Sequence, residues 1–229
     1  MGNTEIVAFD ELRLLSGLDS ISESYGGQTA EGVPLQSTFY ACTSLVRVSM
    51  PPVNITYGNI RALYGDRSPL AGCTSLTHVD WGMCHPAYTH MLYYGCTSLD
   101  YYDGILPKGL TSIGNAMFFN CRSLTRMIFY EGITEFGESL FQNCLALRYV
   151  VFPASTKVIS LVSLTRDAYT GGIHIAIRAI NPPACSTGGY NRTMHFYVPD
   201  ESVDTYKATP GWSTYVGYIN PISKFPYTI

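Results

Sequence analysis

Charge is what this 229-residue chain has least of: Asp, Glu, Lys and Arg make up 14 % of it, against about 25 % in an average globular protein. The formal net charge is −3, so the dense basic surface that holds nucleic acid or an anionic membrane is missing. No apolar run approaches the ~18–20 residues of a membrane span. Met1-Gly2-Asn3-Thr4-Glu5 lacks the basic start and apolar stretch of a secretory signal. Ile6 stands where myristoylation needs Ser or Thr. Such a start fits a cytosolic or virion-borne chain, or one trimmed from a longer precursor, and the abrupt entry into Ile6-Val7-Ala8-Phe9 favours trimming. What the chain has instead of charge is tyrosine, at 18 copies, and a hydrophobic content of 46 %, which excludes disorder.

The dominant pattern is an internal repeat. Cys-Thr-Ser-Leu occurs at 42–45, 73–76 and 96–99, with variants at 121–124 and 144–147, so the cysteines are spaced by 31, 23, 25 and 23 residues. Residues 107–129 align without a gap on 130–152, sharing Gly109/Gly132, Thr111/Thr134, Gly114/Gly137, Phe118/Phe141, Asn120/Asn143, the Cys, Leu124/Leu147 and Phe129/Phe152. Three residues after each Cys stands Leu45, Leu76, Leu99, Leu124 or Leu147. Six and eight after it come Val48 and Met50, Val79 and Trp81, Tyr102 and Gly104, Met127 and Phe129, Val150 and Phe152. That alternation predicts one strand per repeat with one face buried. Three residues before each Cys, Phe39, Leu70, Tyr93, Phe118 and Phe141 supply an anchor from the opposite wall. One unit cannot cover both walls, whereas a stack of units makes a continuous core.

Ile113-Gly114-Asn115-Ala116-Met117-Phe118-Phe119-Asn120-Cys121-Arg122-Ser123-Leu124 resembles the unit of the BspA-like (Treponema pallidum-type) leucine-rich repeats. The resemblance covers about residues 33–155, with long insertions at 51–69 and 82–91. Phe196 to Lys207 and Pro210 to Tyr215 are similar to the ending of family members from gut Bacteroidetes, and Phe9 to Leu18 to the lead-in segment. It implies a leucine-rich-repeat solenoid (β-rich α/β), with a curved parallel sheet of about five repeats plus N- and C-terminal caps. The expected organisation is one continuous domain. Residues 1–32 form the N-terminal cap, with a short helix from Phe9 to Leu15 ended by Gly17. The repeats span 33–155, and 156–229 form a C-terminal continuation and cap. Ile173 to Ile177 is an alternating strand, 195–198 the last strand, and Asp200 a candidate N-cap for a helix through Lys207.

Periodicity makes Cys42, Cys73, Cys96, Cys121 and Cys144 structural, as small inward-pointing thiols. In-register parallel side chains rarely reach disulfide geometry, and the total of seven cysteines is odd. Cys84, His85, His90, His78 and Asp80 are the one grouping of metal-capable types. It has no Cys-x-x-Cys or His-Glu-x-x-His spacing, and an aromatic-rich insertion is the simpler account. Asp100 and Asp103 are two carboxylates close in sequence, but residues three apart on a strand face opposite sides, so they do not make a glycosidase pair. Gly171-Gly172 and Gly188-Gly189 read as turns. No nucleophile–base motif occurs, so no catalytic residue, metal or cofactor is expected.

The functional signal lies on the outward strand face. Five residues after each Cys stand Arg47, His78, Tyr101, Arg126 and Tyr149; seven after it stand Ser49, Asp80, Asp103, Ile128 and Val151. Tyr, Arg and His give large contact area with few rotors and dominate binding hot spots, although cross-strand pairs that only stabilise a sheet use the same residues. We expect the ligand-binding face at Arg47, His78, Tyr101, Arg126, Tyr149, Asp80 and Asp103. The resemblance implies a non-enzymatic recognition or adhesion module for a protein or glycan, with no nucleic acid and no membrane insertion. It would be secreted or on the bacterial cell surface, with its leader upstream of this chain. The alternative is a structural or host-contacting component of a bacteriophage virion.

Overall fold

The Cys-Thr-Ser-Leu motif forms a coil because each of its groups bonds to its own turn or to the coil before it. The computed structural model describes residues 8–9, 39–50, 68, 70–82, 89–161, 172–186 and 194–229. The five motif leucines are fully buried, and each donates its backbone N–H to the Cys carbonyl three residues earlier, at 3.0–3.2 Å. The thiol reaches further back. Cys73 donates to the Phe39 carbonyl at 2.8 Å, Cys96 to Leu70, Cys121 to Tyr93 and Cys144 to Phe118, at 3.0–3.1 Å. Each acceptor is the anchor of the preceding repeat. Thr74 and Thr97 add hydroxyl bonds to Thr43 and Thr74.

A second regularity explains the residue before each Cys. Ala41, Gly72, Gly95, Asn120 and Asn143 all have φ between 54° and 76°, the left-handed region that Gly enters freely and Asn better than most side chains. Gly114 and Gly137 answer to close approach instead. A Cβ on Gly114 would lie 2.6 Å from the His90 nitrogen, and one on Gly137 would lie 2.8 Å from the Asn115 nitrogen.

Among the described residues, twelve short strands, all parallel to their neighbours, form three sheets. The first contains β1 (Ala8–Phe9), β2 (Arg47–Ser49) and β3 (His78–Asp80). The same wall continues, after an interruption, as β5 (Arg126–Ile128), β7 (Tyr149–Phe152), β9 (Ile173–Ile177), β11 (Met194–Val198) and β12 (Ile219–Pro221). The other wall is a four-stranded sheet of β4 (Ser112–Ile113), β6 (Glu135–Phe136), β8 (Val158–Ser160) and β10 (Ala184–Ser186). Between the walls lies one continuous core. Tyr93, Phe118 and Phe141 stack along it at 5.5 and 5.7 Å between ring centroids. The solenoid expected from the repeats is therefore what the chain forms.

Four features differ from the sequence-based expectation. The third repeat has no strand at Tyr102 and Gly104: residues 103–104 turn, and Gly104 is exposed. The Tyr102 hydroxyl takes the place of the missing neighbour, accepting from the Val79 N–H at 2.7 Å and donating to the Val79 carbonyl at 3.0 Å. Asp-Gly favours a turn over a strand, so the ladder breaks there. Phe9 lies in a strand paired with Val48 rather than opening a helix; the remainder of the expected helix, 10–15, lies outside the described residues, as do Cys84, His85 and most of both insertions. The opposite wall is a sheet, where the sequence pattern offered only the inward anchors. Finally, Asp200 does not cap α1 (Val203–Ala208), whose N-cap is Ser202; its carboxylate accepts the Ser223 N–H at 3.0 Å.

Candidate functional site

The strand registers lay the outward side chains in two rows. In the first row Arg47 is level with His78, and after the break Arg126, Tyr149, His174 and His195 are level in turn. The second row runs Ile128, Val151, Ala176, Tyr197. Tyr101 falls in the interruption, yet its ring bridges it: the Arg126 guanidinium carbon lies 4.9 Å from the Tyr101 centroid. Burial raises the Tyr101 phenol above its ordinary value and the charge of Asp103 adds to this, while Arg126 opposes it.

Of the seven residues expected on the face, Arg47, His78, Arg126, Asp80 and Asp103 are exposed and Tyr101 and Tyr149 half-buried. They do not form one uniform column. The His78 ring lies 4.3 Å from that of Tyr102, and an Asp80 oxygen accepts the Gly82 N–H at 3.1 Å. Tyr149 stacks at 4.3 Å on Tyr227. Asp100 accepts from the Thr125 N–H and hydroxyl at 2.8 and 2.7 Å, which makes it a coil-to-coil brace. Among the described residues no three His, Cys, Asp or Glu side chains group as metal ligands.

The cysteine column is pinned inside the core. Burial pushes the Cys73 thiol up to about 12, and raises those of Cys96, Cys121 and Cys144 as well. A thiol so held is protonated at neutral pH and is a poor nucleophile.

Sequence reasoning missed the second half of the face. The alternation of Ile173-His174-Ile175-Ala176-Ile177 already places His174 and Ala176 outward, and Met194 to Val198 does the same for His195 and Tyr197. The His174 and His195 rings stack at 5.2 Å, and the Tyr197 hydroxyl lies 2.9 Å from His174 Nδ1. Burial, and then the charge of His195, lower the His174 value from 6.5. Below pH 6.5 the unfolded chain therefore takes up a proton that the fold resists, so stability falls with pH until the folded value is passed. Urea midpoints are expected to drop from pH 7.5 to pH 5 by more in the parent than in His174→Gln. Equal drops would show that the half-buried His174 imidazole does not drive the dependence.

Residues 66–166 match, in six copies, the family described as BspA type Leucine rich repeat region. That stretch, a little under half of the chain, is similar to the repeats of that family. That family is one of non-enzymatic repeats and suggests a protein-interaction or adhesion module. Among solved structures, the T. pallidum leucine-rich repeat protein is 25 % identical with a TM-score of 0.41, over 60 % of this chain and 63 % of that one. The matched part thus spans less than two thirds of that protein. No curated protein matches the chain. Among the described residues no helix is long and apolar enough to cross a membrane.

Proposed function

We propose that the BspA-type array is a non-enzymatic recognition module that binds a protein ligand through its outward strand face, as part of a secreted or cell-surface protein. The observation that carries this reading is the Tyr101–Arg126 pair, 4.9 Å apart, with exposed Asp80, Asp103, Arg47 and His78 on the same side. Both charge signs and a rigid aromatic meet on a patch that the core does not need charged. Such a mixture suits a protein surface, where Tyr and Arg anchor and opposite charges fix register. A glycan would need a free aromatic face to stack on, and Arg126 already lies over Tyr101. The organisation that goes with this reading is one continuous domain, with 1–32 and 156–229 closing the two ends of the repeats.

The test is a paired screen on displayed protein fragments and on a glycan array. Tyr101→Ala combined with Arg126→Glu is expected to weaken capture of any protein hit at least tenfold while the far-UV CD spectrum is kept. Tyr101 packs partly against the core, so a modest loss of thermal stability accompanies it. Capture unaltered by the double variant would remove this face as the site, and hits confined to glycans would overturn the choice of a protein ligand.

A further inference from the structure

The outward face of β7, β9 and β11 is not solvated as a strand face ordinarily is. Val151, Ala176 and Tyr197 form an apolar cluster separate from the main core, with Ile128, Tyr149, Ile222 and Phe225 packed against it. Val151 and Ala176 have no exposure at all and Tyr197 has 7 %. What covers them is the segment that follows β12, which doubles back across the sheet. Phe225 sets its ring edge-on to Tyr197 at 5.1 Å and to Tyr149 at 5.8 Å. Two residues on, Tyr227 stacks on Tyr149 at 4.3 Å and meets His174 edge-on at 5.5 Å. Lys224, Pro226 and Thr228 are exposed and Phe225 and Tyr227 half-buried, so over 224–228 alternate residues point up and down as in an extended peptide lying on a surface. The anchor is at the near end, where Asp200 holds the Ser223 N–H and the Phe225 N–H bonds to the Ile222 carbonyl at 2.9 Å.

We propose that this half of the face is a docking site for an extended protein segment carrying two aromatic residues separated by one residue, and that Phe225-Pro226-Tyr227 occupies it in cis. The inference rests on the reading of the strand face as the recognition surface, and deepens it by naming the chemistry of the partner and a built-in competitor. Three observations select such a partner over others. The floor, Val151 and Ala176, is apolar and uncharged, which suits neither a sugar nor an acidic peptide. The walls, Tyr149, Tyr197 and His174, are ring faces and edges that match aromatic side chains. The site is continuous with Arg126, which stands next to Tyr149 in the row, so a longer partner would cross from the covered half to the open one. A partner segment therefore has to displace the chain's own, and an in-cis occupant lowers the apparent affinity for it by the fraction of time the site is filled.

The experiment uses a fluorescein-labelled peptide of residues 222–229, Ile-Ser-Lys-Phe-Pro-Tyr-Thr-Ile, titrated by anisotropy into the full chain and into its Phe225→Ala/Tyr227→Ala variant. The variant is expected to bind at least tenfold more tightly than the parent, and adding Ala176→Glu to it is expected to abolish binding. Equal binding to parent and variant, or no binding to a folded variant, would overturn the proposal. If the double variant does not fold, Tyr227→Ala alone replaces it. Hydrogen exchange on the unmodified chain supplies an independent measure: the amides of Phe225, Tyr227, Thr228 and Ile229 are expected to exchange at least a hundredfold faster than those of β9. Protection equal to β9 would make the segment a permanent part of the core and overturn the proposal. A ligand lost with Tyr101→Ala/Arg126→Glu but no peptide binding would leave the recognition module standing and remove only this inference.

Discussion

Phe118→Ala is expected to lower the unfolding free energy by about 3–5 kcal/mol, the range for deleting a fully buried aromatic. The ring has no solvent exposure and lies between Tyr93 and Phe141 in the stack that runs along the solenoid. Deleting it opens a gap between two coils at once, and neither can close it. Each coil is held by a thiol reaching back to a carbonyl, and Cys144 bonds to Phe118 itself. A small side chain at 118 is therefore squeezed between fixed backbones. In a stack where each unit touches only its neighbours, a weakened central interface separates the array into two halves. Urea unfolding followed by CD should show the midpoint fall, with a shallower transition if the halves uncouple. A loss below about 1 kcal/mol would mean that the coils can collapse onto the gap, contrary to the packing argument.

Trp212→Ala is expected to be as costly, about 3–5 kcal/mol, but in a different place. Trp212 is fully buried at the far end of the array, edge-on to Phe196 at 5.4 Å and to Tyr206 at 5.2 Å. Its indole N–H donates to the Pro183 carbonyl at 2.7 Å, and the neighbouring Tyr206 hydroxyl donates to Ala179 at 2.8 Å. These two rings plug the end of the core between the last coils, where a terminal cap is required. Ala at 212 removes the plug and leaves a buried carbonyl unpaired, a loss of roughly 1–3 kcal/mol contained in that range. The local consequence is decisive: β10 to β12 are expected to lose hydrogen-exchange protection before β5 and β7 do. Uniform loss along the whole array would show that Trp212 acts through global stability and not as a cap.

These two residues also show how unevenly the sequence advertises its structure. Phe118 was legible because it recurs: Phe141 occupies the same place one period later, and a recurring apolar position in a stack has to point into the shared core. Trp212 has no counterpart in any repeat, and only the C-terminal pattern placed it near a cap. The strand at Tyr102 and Gly104 was misread for the opposite reason. The period predicted it, but Asp103-Gly104 is a turn sequence, and local turn chemistry overrode the column. The sheet on the opposite wall left little trace, because strands such as β4 and β6 are two residues long and alternation needs more residues than that to be seen.

What the sequence by itself determined is everything that depends on the period: the solenoid, the inward columns, the buried thiols and the outward placement of Arg47, His78, Arg126 and Tyr149. Periodicity does this because a side chain's direction in a repeated coil is set by its count from the Cys, whatever lies elsewhere in the chain. Only the tertiary structure decided which part of the outward face is open. Phe225 and Tyr227 reach Tyr149 and His174 from dozens of residues away, by ring contacts that impose no spacing on the sequence between them. The scarcity of charge and the surplus of tyrosine acquire a physical meaning at that point. Part of the strand face carries rings and not charges because the chain lies down on itself there.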